Sequence, residues 1–286
     1  MVKCEVCFRH CDIPENGVGF CGARTVRNEK TEPLLYGNIS SLALDPIEKK
    51  PLARFMPGSR ILSVGFYGCN LRCPFCQNYE ISWSKNALAD AGRGRIAAPE
   101  QLADLAESLR AQGNIGIAFT YNEPLTSYEF VRDTAKEIHE RGMKTVLVTN
   151  GTAGEKVLDE ILPWIDAMNI DLKGFSERYY EKVLGGNLQQ VLRFIETAVK
   201  SCHVELTTLI VPEENDSEEE MRKMTAWVSE LRDDHGSRIG RDIPMHISRF
   251  FPQFYMKDRP ATNVKLIYHL ADIACERLKY VYTGNC

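Results

Sequence analysis

Cys69, Cys73 and Cys76 stand in a C-x3-C-x2-C spacing inside Gly68-Cys69-Asn70-Leu71-Arg72-Cys73-Pro74-Phe75-Cys76. Each iron of a 4Fe–4S cluster ordinarily takes one cysteine thiolate. Three thiolates on one short segment therefore leave one iron without a protein ligand. That iron can bind a substrate or cofactor directly and pass it an electron. The next cysteine along the chain, Cys202, is far away. Zinc sites typically draw on two C-x2-C pairs. A disulfide is disfavoured, because no signal peptide is seen and cytosolic thiols stay reduced. Structural cysteines pack as small apolar residues, but Gly68, Asn70 and Pro74 mark a loop, not a core strand.

A second group, Cys4, Cys7, Cys11 and Cys21, reads C-x2-C-x3-C-x9-C. Four thiolates suffice for a tetrahedral zinc site or a complete 4Fe–4S cluster, and spacing leaves both open. In one reading the metal staples a segment too short for its own core. In the other it relays electrons to the first cluster.

Such loops need elements to position them. The chain has 286 residues, 44% of them apolar, and a net charge of −4. That is enough for one large core or two small ones, and it carries no whole-chain basic field pointing to nucleic acid. No apolar run approaches the roughly 20 residues of a membrane helix. The expected setting is a soluble, reducing cytoplasm. Residues 1–58 form a cysteine-rich segment with little periodicity, and a second domain is expected over 59–286. There, strand-like runs at 61–66, 115–119, 145–148, 167–170, 204–211 and 245–247 alternate with helical patterns at 99–112, 127–141, 155–162, 188–201, 217–233 and 263–278. Ser217 with Glu220 is a capping-box candidate. Alternating βα units imply a parallel sheet, here a partial barrel or an open sheet. Loops leaving the C-terminal strand ends of such a sheet form its active-site face. The cysteine loop is one of these, and Tyr121-Asn122-Glu123-Pro124, Asn150-Gly151 and Asp171-Leu172-Lys173 are others. The plain alternatives are a polar loop, a turn dipeptide and a surface ion pair. His246 reads as a satisfied core histidine, and Arg249 as a candidate substrate contact.

With Phe75 as the aromatic residue, C-x3-C-x-aromatic-C resembles the signature loop of the radical S-adenosylmethionine (SAM) superfamily. The resemblance implies a partial (βα)6 TIM-like barrel with a cysteine-rich N-terminal extension. It also implies that the open iron chelates the amino and carboxylate groups of SAM. Reduction of the sulfonium then releases methionine and a 5′-deoxyadenosyl radical. Tyr121, Asn122 and Glu123 occupy the place of a Gly-Gly-Glu-Pro-type segment that holds the methionyl ammonium, although both glycines are absent here. Asn150 is expected near the ribose and methionyl groups, and Asp171 near ribose or ammonium. Lys173 is expected at the SAM carboxylate, and Phe75 beside the cofactor. Asp171-Leu172-Lys173 and Leu209-Ile210-Val211-Pro212 are similar to segments of pyruvate formate-lyase activating enzymes. More narrowly, Lys3–Cys7, Gly19–Arg24 and Ser40–Leu52 resemble the radical SAM protein of the AmmeMemoRadiSam system. That likeness implies Memo-type and AMMECR-type partners. A one-electron donor such as flavodoxin or ferredoxin is implied by the chemistry. The expected function is hydrogen abstraction from a substrate. The alternatives are activation of a glycyl-radical enzyme, modification of a small molecule or nucleic acid, and a non-catalytic iron–sulfur or metal carrier.

Overall fold

The computed structural model describes residues 1–83 and 95–286. Eight strands form the main sheet: β1 (Ser41–Pro46), β2 (Arg60–Gly65), β3 (Asn114–Thr120), β4 (Lys144–Thr149), β5 (Ala167–Asp171), β6 (His203–Ile210), β7 (Met245–Arg249) and β8 (Val281–Gly284). They lie side by side in chain order, and β2 to β8 are mutually parallel. Six helices make the crossovers between successive parallel strands: α1 (Pro99–Ser108), α2 (Tyr128–Glu140), α3 (Glu155–Ile161), α4 (Leu188–Ala198), α5 (Glu218–Ser229) and α6 (Val264–Cys275). The edge strands β1 and β8 do not pair with each other. The result is a partial (βα)6 barrel, as the resemblance implies, where the alternation alone left a partial barrel or an open sheet. No described helix is long and apolar enough to cross a membrane.

Residue alternation explains the two faces of the sheet. Along β6, Val204, Leu206 and Ile210 are buried in the core shared with the helices. His203, Glu205, Thr207 and Leu209 point to the opposite, inner side. The helices answer with apolar stripes, as in α4, where Leu188, Val191, Leu192, Ile195 and Ala198 are buried. Asn187 caps that helix by accepting from the Gln190 N–H at 2.9 Å. Ser217 caps α5 through the Glu220 N–H at 3.2 Å. The Glu220 carboxylate does not complete a capping box; it accepts from the Phe175 N–H at 2.5 Å instead.

Two strands lie outside the six apolar runs. β8 is a short edge strand, and β1 runs antiparallel to β2 from Ser41 opposite Gly65 to Pro46 opposite Arg60. Half-buried edge strands need no continuous apolar run, which hides them in a sequence. Through β1 the main sheet crosses residue 58. Before it lie short ribbons, Val2–Lys3 with Asp12–Ile13 and Arg24–Arg27 with Lys30–Pro33.

Between β1 and β2 the chain turns into the barrel. Ile47 and Leu52 are fully buried against Ile61, Ala118, Val146 and Ala167. Glu205, with no exposed surface, pins this plug. Its carboxylate accepts the Ala53 and Arg54 N–H groups at 2.9 and 2.8 Å. The His203 and His246 Nε2 atoms lie 2.9 and 2.7 Å from its oxygens. Burial alone would push the Glu205 carboxyl up, but the two histidines and two N–H groups bring it down to about 2. A carboxylate with a depressed pKa contributes stability that is present above the ordinary value of 4.5 and lost as the pH falls through about 2. Glu205→Ala strands these donors and is expected to lower the unfolding free energy by about 3–5 kcal/mol. Urea unfolding at neutral pH checks this, and a loss below about 1 kcal/mol would remove Glu205 from this role.

Candidate active site

The cysteine loop leaves the C-terminal end of β2 and is tied down along its length. Gly68 adopts φ +91°, and a Cβ there would lie 2.6 Å from the Cys21 carbonyl oxygen. Only glycine tolerates both conditions. The Cys69 N–H donates to that same carbonyl at 3.2 Å. Asn122 accepts from the Phe66 N–H at 3.1 Å and donates to the Gly68 carbonyl at 2.8 Å. Arg72 Nη1 donates to the carbonyls of Cys69 and Leu71, both at 2.7 Å. The Tyr255 N–H donates to the Pro74 carbonyl at 2.9 Å. Held this way, Cys69, Cys73 and Cys76 line a cavity of about 370 Å³ at the C-terminal ends of the strands. None of them is in a disulfide. Burial pushes all three thiols up, Cys73 to about 12, although Lys173 acts in the opposite sense there. Thiols in this state are protonated at neutral pH unless a cation joins them, and a coordinating metal deprotonates them outright. The donor set fits an iron–sulfur cluster held by three thiolates.

Three more strand ends supply the other walls. After β3, Tyr121 takes φ +73°, the left-handed backbone for which glycine would ordinarily be used. Its strain, about 1–2 kcal/mol for a residue with a side chain, is offset at both ends. The Tyr121 hydroxyl donates to Asp45 at 3.0 Å, and its carbonyl accepts from Asn78 Nδ2 at 2.6 Å. Glu123 is buried and joins two loops. Its Oε1 accepts from the Leu125 N–H at 3.1 Å and Thr149 Oγ1 at 2.8 Å, and its Oε2 from the Asn150 N–H at 2.7 Å. Burial dominates these contacts and pushes the Glu123 carboxyl up to about 7. After β4, Asn150 Nδ2 donates to Asn70 Oδ1 at 2.9 Å and lies 3.8 Å from Cys69 Sγ.

After β5, Lys173 Nζ donates to Asp171 Oδ2 at 2.7 Å. Burial opposes the Lys173 charge, but Asp171 and Cys73 more than offset it, and the ammonium is held above its ordinary value. Asn215 donates to the Lys173 carbonyl at 2.6 Å and to the Leu209 carbonyl at 2.8 Å, which ties the ends of β5 and β6 together. Phe75 lines the same cavity and meets Phe250 edge to face at 6.4 Å.

The structure thus brings Cys69, Cys73, Cys76, Phe75, Tyr121, Asn122, Glu123, Asn150, Asp171 and Lys173 to one cavity. Two other candidates fall elsewhere. His246 is spent on Glu205. Arg249 Nε donates to the Thr262 carbonyl at 2.7 Å, and its guanidinium lies over Phe251; Ser248 lines the cavity instead. The sequence reading missed the cavity floor. Lys50, 2% exposed, donates to Asp45 at 2.8 Å, as does Ser63 at 2.9 Å. Burial opposes the Asp45 charge, yet Lys50, Ser63 and Tyr121 hold it well below the carboxylate range. Polar residues at alternate inward positions of buried strands were the available signal. Cys4, Cys7, Cys11 and Cys21 line a separate small cavity beside the cysteine loop.

Comparison with known proteins agrees with this geometry. The family model described as the radical SAM superfamily matches residues 63–225. An uncharacterized protein of Methanocaldococcus jannaschii is 40% identical over 286 residues, spanning 99% of this chain and 81% of that protein. The pyruvate formate-lyase-activating enzyme of Clostridium pasteurianum is 31% identical over 182 residues, 62% of this chain and 72% of the enzyme. Among solved structures, Streptococcus suis SuiB bound to S-adenosylmethionine superposes with a TM-score of 0.58 at 12% identity. That match covers 79% of this chain and 52% of SuiB. At that identity the likeness is one of fold. The family match spans more than half of the chain and contains the cysteine loop and the strand ends facing it, so the protein belongs to the radical SAM superfamily.

Proposed function

We propose that the cavity at the strand ends is where this radical SAM enzyme cleaves SAM, and that the substrate lies beneath the cofactor, toward Lys50 and Tyr121. The observation that carries this reading is the meeting of three free thiols from one loop with Glu123, Asp171 and Lys173 from two other strand ends. A 4Fe–4S cluster held there would supply the electron for reductive cleavage of SAM. Cys69, Cys73 and Cys76 are its ligands in this reading. Lys173, charged and already oriented by Asp171, meets the SAM carboxylate as a point charge. Glu123 fixes the 149–150 turn with two hydrogen bonds and offers its remaining lone pairs to the ammonium. Asn150 and Asn122 hold the cysteine loop against the SAM-facing turns, and Phe75 supplies an apolar wall. The test is anaerobic reconstitution with iron and sulfide, followed by chemical reduction with SAM present. Formation of 5′-deoxyadenosine supports the reading, and SAM recovered intact from cluster-loaded protein rejects it.

Radical SAM enzymes need a one-electron donor, and flavodoxin or ferredoxin are the donors proposed. Likeness to an activating enzyme supports a second reading, in which a partner protein presents a glycine loop to the cavity. Memo-type and AMMECR-type partners are proposed on the residue blocks at 3–7, 19–24 and 40–52. A metal, zinc or iron–sulfur, is proposed at the N-terminal cysteines.

Burial pushes the Glu123 carboxyl up to about 7, so its charge is expected to change near neutral pH. SAM affinity is expected to rise as the pH goes from about 6 to about 7.5, below the range in which an α-amino group loses its proton. In Glu123→Gln the rise disappears. Anaerobic equilibrium dialysis measures both profiles, and the same slope in both would remove Glu123 from the ammonium.

A further inference from the structure

We propose that the reactant is a small organic anion, and that Lys49 and Lys50 hold its carboxylate or phosphate on the cavity floor. Both lysines line the cavity, whereas Asp45, the carboxylate they share, is not among the residues lining it. Two ammonium groups thus answer to one carboxylate, and the excess positive charge faces the open space. The carboxylates that do line the cavity, Glu123 and Asp171, stand at the strand ends. Asp171 is paired with Lys173, and Glu123 accepts from Leu125, Thr149 and Asn150. Among the described residues no ion pair joins either of them to a floor lysine.

Lys50 has donors to spare. It is 2% exposed, and an ammonium carries three N–H groups. Among the described residues its one hydrogen bond goes to Asp45, at 2.8 Å, and its ammonium lies 5.2 Å from the centre of the Tyr121 ring. Asp45 Oδ2 also takes Ser63 and Tyr121, and Oδ1 takes Lys49 at 3.3 Å. Burial pushes the Lys50 ammonium down, and Asp45 acts in the opposite sense. A buried cation whose N–H groups are only partly met is costly in an empty cavity, and an oxyanion is its strongest acceptor. Lys49 differs. Its side chain is 67% exposed and its contact with Asp45 is longer, so its ammonium turns to a ligand at little cost.

An independent observation comes from β6. Thr207 is the next inward residue after Glu205, one step above the clamp that Glu205 places on the plug. Its hydroxyl is buried and has no partner among the described residues, and Thr207 lines the cavity. An apolar reactant would leave both Lys50 and this hydroxyl unanswered. A glycine loop brings amides but no charge. A small anion with a second polar group meets both. As a substrate class this rests on the function proposed above; the anion site itself does not.

The test uses the full chain, cluster-loaded anaerobically and kept in excess SAM. Equilibrium dialysis measures the binding of inorganic phosphate and, separately, of succinate. An ionic strength of about 0.15 M screens exposed charges more than about 8 Å apart. At least one of the two anions should bind at a single site, phosphate marking a phosphorylated reactant and succinate a carboxylate one. Lys49→Gln should weaken that binding about tenfold or more, and Lys49→Arg should keep most of it, since the charge remains. Lys49 carries the test because its loss leaves the buried contact between Lys50 and Asp45 in place. No binding of either anion, or unchanged affinity in Lys49→Gln, overturns the proposal. So does an equal loss in Lys173→Ala, which would put the anion where the SAM carboxylate is proposed to sit. An equal loss in Lys223→Ala, at an exposed pair on α5, would make the binding a general surface effect and overturn it too. SAM cleaved by a chain without Lys49-dependent binding rejects the anion site and leaves the catalytic reading standing. Lys49-dependent binding in a loaded chain that leaves SAM intact does the reverse.

Discussion

Replacing Cys69, Cys73 and Cys76 together with alanine is expected to abolish the EPR signal that shifts on addition of SAM, and SAM cleavage with it. The three thiols share one loop and one cavity. As cluster ligands, each would supply a bond that no other cysteine among the described residues is placed to replace, since the remaining ones line another cavity or lie elsewhere. Alanine leaves the loop's other fastenings intact. Leu71 and Phe75 stay buried, and the Asn122 and Tyr255 contacts do not involve sulfur. A circular dichroism spectrum like that of the unmodified chain is therefore expected alongside the loss. A SAM-responsive signal that survives the triple replacement would sink the ligand assignment.

The second large effect concerns Lys173. Its ammonium lies 2.7 Å from Asp171, and the two are only partly exposed, 17% and 30% at their side chains. If Lys173 meets the SAM carboxylate, Lys173→Ala removes a charge-assisted hydrogen bond worth about 1.5–3 kcal/mol, or on the order of tenfold to a hundredfold in affinity. The cluster should load normally, because no cysteine contact depends on the lysine side chain. Asp171→Asn should weaken binding less, since it leaves the cation in place. Binding measured on cluster-loaded protein decides the matter. SAM affinity unchanged in both single variants would return Asp171 and Lys173 to the role of an ion pair at a strand end.

How much of this was legible beforehand differs by element. Buried parallel strands were, because Ile61 to Phe66 or Val204 to Val211 read as apolar runs whatever their neighbours. For these two, the observed bounds differ from the reading by one residue at each end. β1 and β8 were not, since an edge strand is defined by what pairs with it. The candidate residues at strand ends were found because parallel topology fixes where the C-terminal ends converge. Their hydrogen bonds were not foreseeable. Glu123 was expected to face a ligand, and it also braces Thr149 and Asn150. Tyr121 stands where related segments carry glycine, yet it keeps the left-handed backbone, because Asp45, brought close by β1, takes its hydroxyl. Contacts across 76 positions of chain, as for Tyr121 and Asp45, have no local signature.

The plug gives the barrel an unequal division of labour. The walls of the cavity come from the parallel strands and their end loops, which carry the residues proposed to hold the cofactor. Its depth comes from one short segment between β1 and β2, whose Lys49 and Lys50 reach the cavity while Ile47 and Leu52 anchor it below. Glu205 clamps that segment through backbone N–H groups, which any residue except proline can supply at positions 53 and 54. The side chains at positions 53 and 54 are thus free of the clamp itself. Selection acting there could reshape the space for a new reactant in small steps while the radical-generating machinery above stayed unchanged.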